Sequence, residues 1–81
     1  MPTTTQPRSL HEIAMEIARD WKKVSPYAKP YLDAMFALPS VHHNYGADSG
    51  KSVVLYFLAN ATTWRGDVAR KVKKELNEMC K

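Results

Sequence analysis

Three observations predict an all-α fold for this chain, a small bundle of three longer helices and one short helix. Apolar residues recur about every 3.6 positions near the N-terminus and again near the C-terminus, the period of an amphipathic helix. The one segment of strand-like composition, Val53 to Leu58, has no second strand to pair with. A lone strand leaves its backbone edge unsatisfied, so that segment also reads as helix. Finally, 81 residues at 44% hydrophobic and 25% charged suit one ordinary globular domain.

The chain divides into a flexible polar lead over residues 1–8 and a single helical domain over residues 9–81. The first helix, Ser9 to Val24, opens on Ser9-Leu10-His11-Glu12, a capping box in which serine and glutamate satisfy each other's backbone amides. Its stripe is Leu10, Ile13, Ala14, Ile17, Trp21 and Val24. Ser25-Pro26 closes it. A short second helix spans Tyr31 to Leu38, opening near Lys29-Pro30 and stopped by Pro39. Residues 39–50 form the one long connection, rich in turn formers.

The third helix runs from Ser49 to Ala61, capped by Asp48 or Ser49 and apolar nearly all round, hence central to the fold. Thr62-Thr63 then caps the fourth, whose stripe is Trp64, Val68, Val72, Leu76 and Met79. Gly66 in its first turn costs of order 1 kcal/mol against alanine and points to a close approach there.

The single cysteine, Cys80, makes neither an intrachain disulfide nor a metal cage, which fits a reducing, cytoplasmic setting. The longest apolar run, Val53 to Ala59, is far short of the roughly 20 residues of a membrane-spanning helix. His42-His43 are adjacent and lack ligand spacing, so no metal site is expected, and no nucleophile elbow or triad spacing is present. The expectation is a protein with no catalytic residues, metal or cofactor.

Two local features point to ligands. Gly46-Ala47-Asp48-Ser49-Gly50-Lys51-Ser52 is similar to a P-loop, but three residues rather than four separate its glycines and no strand precedes it. What survives is anion binding at Ser49, Gly50, Lys51 and Trp64, through helix amides with Lys51, and more narrowly a small-nucleotide binder using Lys51, Trp64 and Arg65. Trp64 reads more readily as core, since it begins an apolar stripe. The other feature is the basic rim of the last helix, Arg65, Arg70, Lys71 and Lys74, on a chain of formal net charge +4. Such a rim steers towards an acidic protein patch or neutralises nucleic-acid phosphates. The Arg65-Gly66-Asp67 triplet and the Asn60-Ala61-Thr62 sequon belong to secreted proteins and carry no argument here.

Several strings together resemble a family of short uncharacterised proteins encoded by phages, prophages and mobile elements of Gram-positive gut bacteria. They are Asp20-Trp21-Lys22-Lys23-Val24, Pro30-Tyr31-Leu32-Asp33-Ala34-Met35, Tyr45-Gly46-Ala47-Asp48-Ser49-Gly50-Lys51-Ser52 and, above all, Tyr56 to Arg70. The resemblance implies a biological setting and no site. Combined with small size and missing chemistry, it implies an interaction protein that binds and blocks a bacterial host or defence protein, an anti-defence or anti-CRISPR-type inhibitor. The alternatives are a nucleic-acid binder using the last helix and a small-nucleotide binder. Tyr27, Tyr31, Tyr45 and Tyr56 exceed what a core this small needs, which predicts a two-fold homodimer.

Overall fold

Four helices and one small hairpin make up the computed structural model, which describes residues 8–80. In chain order they are α1 (Leu10–Asp20), α2 (Lys29–Phe36), β1 (Asn44–Tyr45), β2 (Asp48–Ser49), α3 (Gly50–Ala59) and α4 (Asp67–Met79). The molecule is therefore mostly helical but not purely all-α. The expected long connection contains a two-stranded antiparallel sheet, pairing Asn44 with Ser49 and Tyr45 with Asp48. Gly46, at a φ of +62°, occupies the first central position of the two-residue turn, where a II′ hairpin places glycine.

The capping box forms as expected: Glu12 N donates to Ser9 Oγ at 3.1 Å and Ser9 N donates to Glu12 Oε1 at 3.2 Å. α1 ends at Asp20 and not at Val24. Trp21 leaves the helix at φ −95°, ψ 88°, and its ring stacks on Trp64 at 5.8 Å. Packing of one indole on another outweighs one more helical turn there. A turn from Ser25 to Ala28 then leads into α2, with Pro30 in the first turn, where its missing amide costs nothing.

Residues 51–58 are helical, as the missing partner strand required. Ser49 is the cap of α3, accepting from Ser52 N at 3.1 Å, while Asp48 belongs to the hairpin. α4 begins later than expected. Thr62 and Thr63 do not cap it; Gly66 does, and Trp64 lies in the preceding loop. Gly66 has a φ of +115°, and a Cβ there would meet nothing within 4 Å, so glycine serves the backbone angle and not a close approach.

Phe57, fully buried, belongs to one core cluster with Leu10, Ile13, Ile17, Met35, Val54, Val72 and Leu76, and its ring stands edge-on to Trp21 and Trp64. Two ties hold the loop between α2 and the hairpin against this core. Leu10 N donates to Pro39 O at 3.2 Å, and Gly50 N donates to His43 O at 2.7 Å.

Of the polar lead expected over residues 1–8, residues 1–7 lie outside the described residues, and Arg8 is anchored. Its guanidinium makes a two-point contact with Glu75 on α4, at 2.6 and 3.0 Å, and reaches Glu16 on α1 at 2.7 Å. The hydrogen bond to Glu75, reinforced by Glu16, raises its already high pKa further. Arg8→Ala is expected to cost about 1 kcal/mol in urea unfolding, because the pair is bidentate yet partly solvated. Lysine should not restore it, since an ammonium cannot reproduce the fork.

Candidate functional site

The residues expected to hold an anion fall into two places. At the N-terminus of α3, the Gly50 amide is taken by His43 O and the Ser52 amide by Ser49 Oγ, which itself donates to Ser52 Oγ at 2.9 Å. Lys51 stands beside them, exposed. Trp64 is not brought to this end. It packs edge-on against Phe57, two turns or about 10 Å further along α3. Only 2% of it is exposed, and its Nε1 donates to Asp20 Oδ2 at 2.8 Å. A nucleotide base has no access to that ring.

Lys73 completes the surroundings of Trp64. Its Nζ donates to Ala61 O at 2.8 Å and to Trp64 O at 2.7 Å, and lies 5.9 Å from the indole centroid. Desolvation by burial, then the nearby Arg65 charge, lower its pKa. This lysine closes the loop before α4 and is not a surface cation.

The basic rim is split and diluted. Arg70, Lys71 and Lys74 share the outward face of α4, opposite the buried Ala69, Val72 and Leu76, while Arg65 is exposed on the preceding loop. Asp67 and Glu78 share that face, and Arg70 is paired with Asp67. Lys71 and Lys74 make no ion pair with any described residue.

Beyond the expected positions lie two further features. A groove of about 830 Å³ opens between the start of α1 and the end of α4, floored by Pro39, Val41 and Met79 with Glu12 and His42 at its edge. Glu12 is committed to the capping box and Arg8 and Glu75 to each other, so these three charged groups of the groove serve the fold. His11 Nδ1 lies 2.8 Å from Phe36 O and His43 Nδ1 2.9 Å from Ser40 Oγ, on separate elements. No group of three metal-ligating side chains occurs among the described residues. Burial pushes the Cys80 thiol up, and its Sγ faces Lys51 O at 3.9 Å.

The second feature is an apolar face. Gly50, Val53, Val54 and Phe57 turn inward on α3, leaving Lys51, Ser52, Leu55, Tyr56 and Ala59 on its other side. Leu55 is 44% and Tyr56 50% exposed. The Tyr56 ring packs on Tyr31 of α2 at 5.5 Å, and Tyr27, in the turn leading into α2, is 75% exposed. The excess of tyrosine over core need signalled this face. Leu55 gave no separate signal, because it sits inside an unbroken apolar run whose inward side cannot be read from periodicity. Lys51 is the only charged residue on that side of α3.

Among the described residues no helix is long and apolar enough to cross a membrane. The chain matches no protein-family model, no curated protein and no solved structure.

Proposed function

We propose that this chain is a non-enzymatic interaction protein that binds and blocks a bacterial host or defence protein. The observation that carries this reading is the exposed apolar face of Leu55 and Tyr56 with Tyr31 packed beside it, with Lys51 its one charge along α3 and Tyr27 exposed in the turn before α2. Protein interfaces are enriched in tyrosine and poor in lysine and glutamate at their centres, and this face has that composition. A nucleic-acid surface needs the opposite, a continuous run of cations. On the outward face of α4 three bases stand among Asp67 and Glu78, with Arg70 already paired, and the fourth, Lys73, binds the preceding loop. The rim of Arg65, Lys71 and Lys74 then acts on the rate of encounter with an acidic patch more than on affinity. A small-nucleotide role has less support, since Trp64 is buried and the amides of Gly50 and Ser52 are engaged.

The test is capture from bacterial lysate by the immobilised full chain, with and without nuclease. The reading predicts one protein retained in stoichiometric amount after nuclease. Loss of all capture on nuclease treatment, with tight salt-sensitive binding to bare DNA or RNA, would overturn it.

A further inference from the structure

We infer that the end of the molecule carrying Arg19, Lys22, Lys23 and Arg65 is a second contact, one that receives an acidic segment of a protein partner. The inference rests on the reading of the chain as a protein-binding one and adds the charge of what it binds. Two segments far apart in sequence build this end. Trp21 stacks on Trp64 at 5.8 Å, and Trp64 Nε1 donates to Asp20 Oδ2 at 2.8 Å, so the turn after α1 lies against the loop before α4. Lys22 and Lys23 follow Trp21 directly and Arg65 follows Trp64, and all three are exposed. Arg19, exposed in the last turn of α1, shares a shallow hollow of about 450 Å³ with Val68 in the first turn of α4. The two indoles, 7% and 2% exposed, hold these backbones together and leave the cations outside.

Charge singles out this end. None of the four cations makes an ion pair or a side-chain hydrogen bond with a described residue. Of the acids nearby, Glu16 is neutralised by Arg8 and Asp67 by Arg70. That leaves Asp20, bound to the indole N–H, as the one offsetting charge on these segments. Lys73, drawn onto the loop carbonyls, adds its own charge beside Arg65. Like charges gathered in this way repel one another, and a carboxylate-rich partner relieves the repulsion as it binds. What adjoins the cations sets the class of partner. Phe57 meets both indoles edge-on, at 6.2 and 6.4 Å, and its neighbour Tyr56 stands half-exposed on the outward face of α3. Tyr27, 75% exposed, lies four residues past Lys23 in the same connection. The basic end therefore borders exposed tyrosine, which suits a protein surface and is of no use to a phosphate backbone. Single-stranded nucleic acid would stack its bases on an open ring, and both indoles here are buried.

Titration of the nitrogen-15-labelled full chain with a decaglutamate peptide in low salt tests this through its amide chemical shifts. The shifts should centre on residues 19–27 and 62–66 and fade as salt is added. The double change Lys22→Glu and Lys23→Glu should raise the peptide's dissociation constant about tenfold without lowering the melting temperature, because both side chains are solvated. The double change Lys71→Glu and Lys74→Glu, on the outward face of α4, should raise it by less than about threefold. Arg65→Gln reads the same site from the other segment if the first double change disturbs the fold. Shifts centred on α4, equal effects of the two double changes, or tighter binding of a single-stranded DNA of equal charge at the same residues would overturn the inference. In nuclease-treated lysate, the Lys22→Glu and Lys23→Glu chain should retain several-fold less of the captured protein. Undiminished capture overturns the inference and spares the functional reading. Peptide binding at this end with no protein captured overturns the functional reading alone.

Discussion

Replacing Trp64 with alanine is expected to cost about 4 kcal/mol, the range for emptying a tryptophan-sized site in a core. The ring is 2% exposed, stacked on Trp21 with 12° between planes and set edge-on to Phe57 at 6.4 Å. It also fixes a loop. Its carbonyl accepts from Lys73, its amide donates to Ala61 O at 3.1 Å, and its indole N–H reaches Asp20 at the end of α1. A domain this small has a stability of only about 5–10 kcal/mol, so the loss should lower the melting temperature by roughly 20–30 °C. Trp64→Phe keeps most of the packing and leaves Asp20 to solvent, and should cost about 1–2 kcal/mol. Thermal melts followed by circular dichroism separate the two. A change below about 1 kcal/mol for alanine would mean that the indole is surface and not core.

Gly50→Ala is expected to cost about 3 kcal/mol, against its intrinsic propensity. Alanine is favoured over glycine in a helix by about 1 kcal/mol, and Gly50 is the first residue of α3. The surroundings reverse the sign. An added Cβ would lie 2.7 Å from His43 O, 2.9 Å from Ser40 O and 3.0 Å from Val41 Cα, all of them backbone. Relief requires moving the 40–43 loop off the helix, which breaks the Gly50 N to His43 O hydrogen bond and opens the hairpin. Gly46→Ala is the control: positive φ with open space around it, worth about 1 kcal/mol. Urea unfolding of both variants should rank Gly50→Ala as the worse, and a stabilised Gly50→Ala would show that the loop does not rest on α3.

How far the sequence reaches can be judged from these same residues. Ser9 and Glu12 announce α1 because a capping box is wholly local. Val53 to Leu58 resolves as helix despite its β-branched and aromatic residues, since it has no second strand to pair with and a helix buries Val53, Val54 and Phe57 together on one side. The exposed Leu55 and Tyr56 show that α3 is not buried all round as its composition suggests. Trp64 reads as core, but its place in a loop is not legible. Apolar spacing continues the α4 stripe through it, while the backbone break is set by Gly66 and by Lys73 binding the loop carbonyls from the second turn of α4. The same limit hides the end of α1, where Trp21 turns out of the helix to meet Trp64, 43 positions later in the chain. The hairpin is only two residues per strand, too short for alternation to show. For the candidate surface, the surplus tyrosines are visible in the sequence and so is the i,i+3 spacing that pairs Arg70 with Asp67, whereas the outward turn of Leu55 depends on how the helices pack.

The central claim is that the α2–α3 apolar face is covered by protein when the chain is at work. Hydroxyl-radical footprinting reads this directly, because exposed tyrosine, leucine and methionine side chains are oxidised where they stand. The full chain in nuclease-treated host lysate should show Tyr27, Leu55 and Tyr56 protected several-fold relative to the same chain diluted alone. Met15, 43% exposed on α1, should react equally in both and serves as the reference. Equal reactivity of all four residues in the two samples would contradict the account.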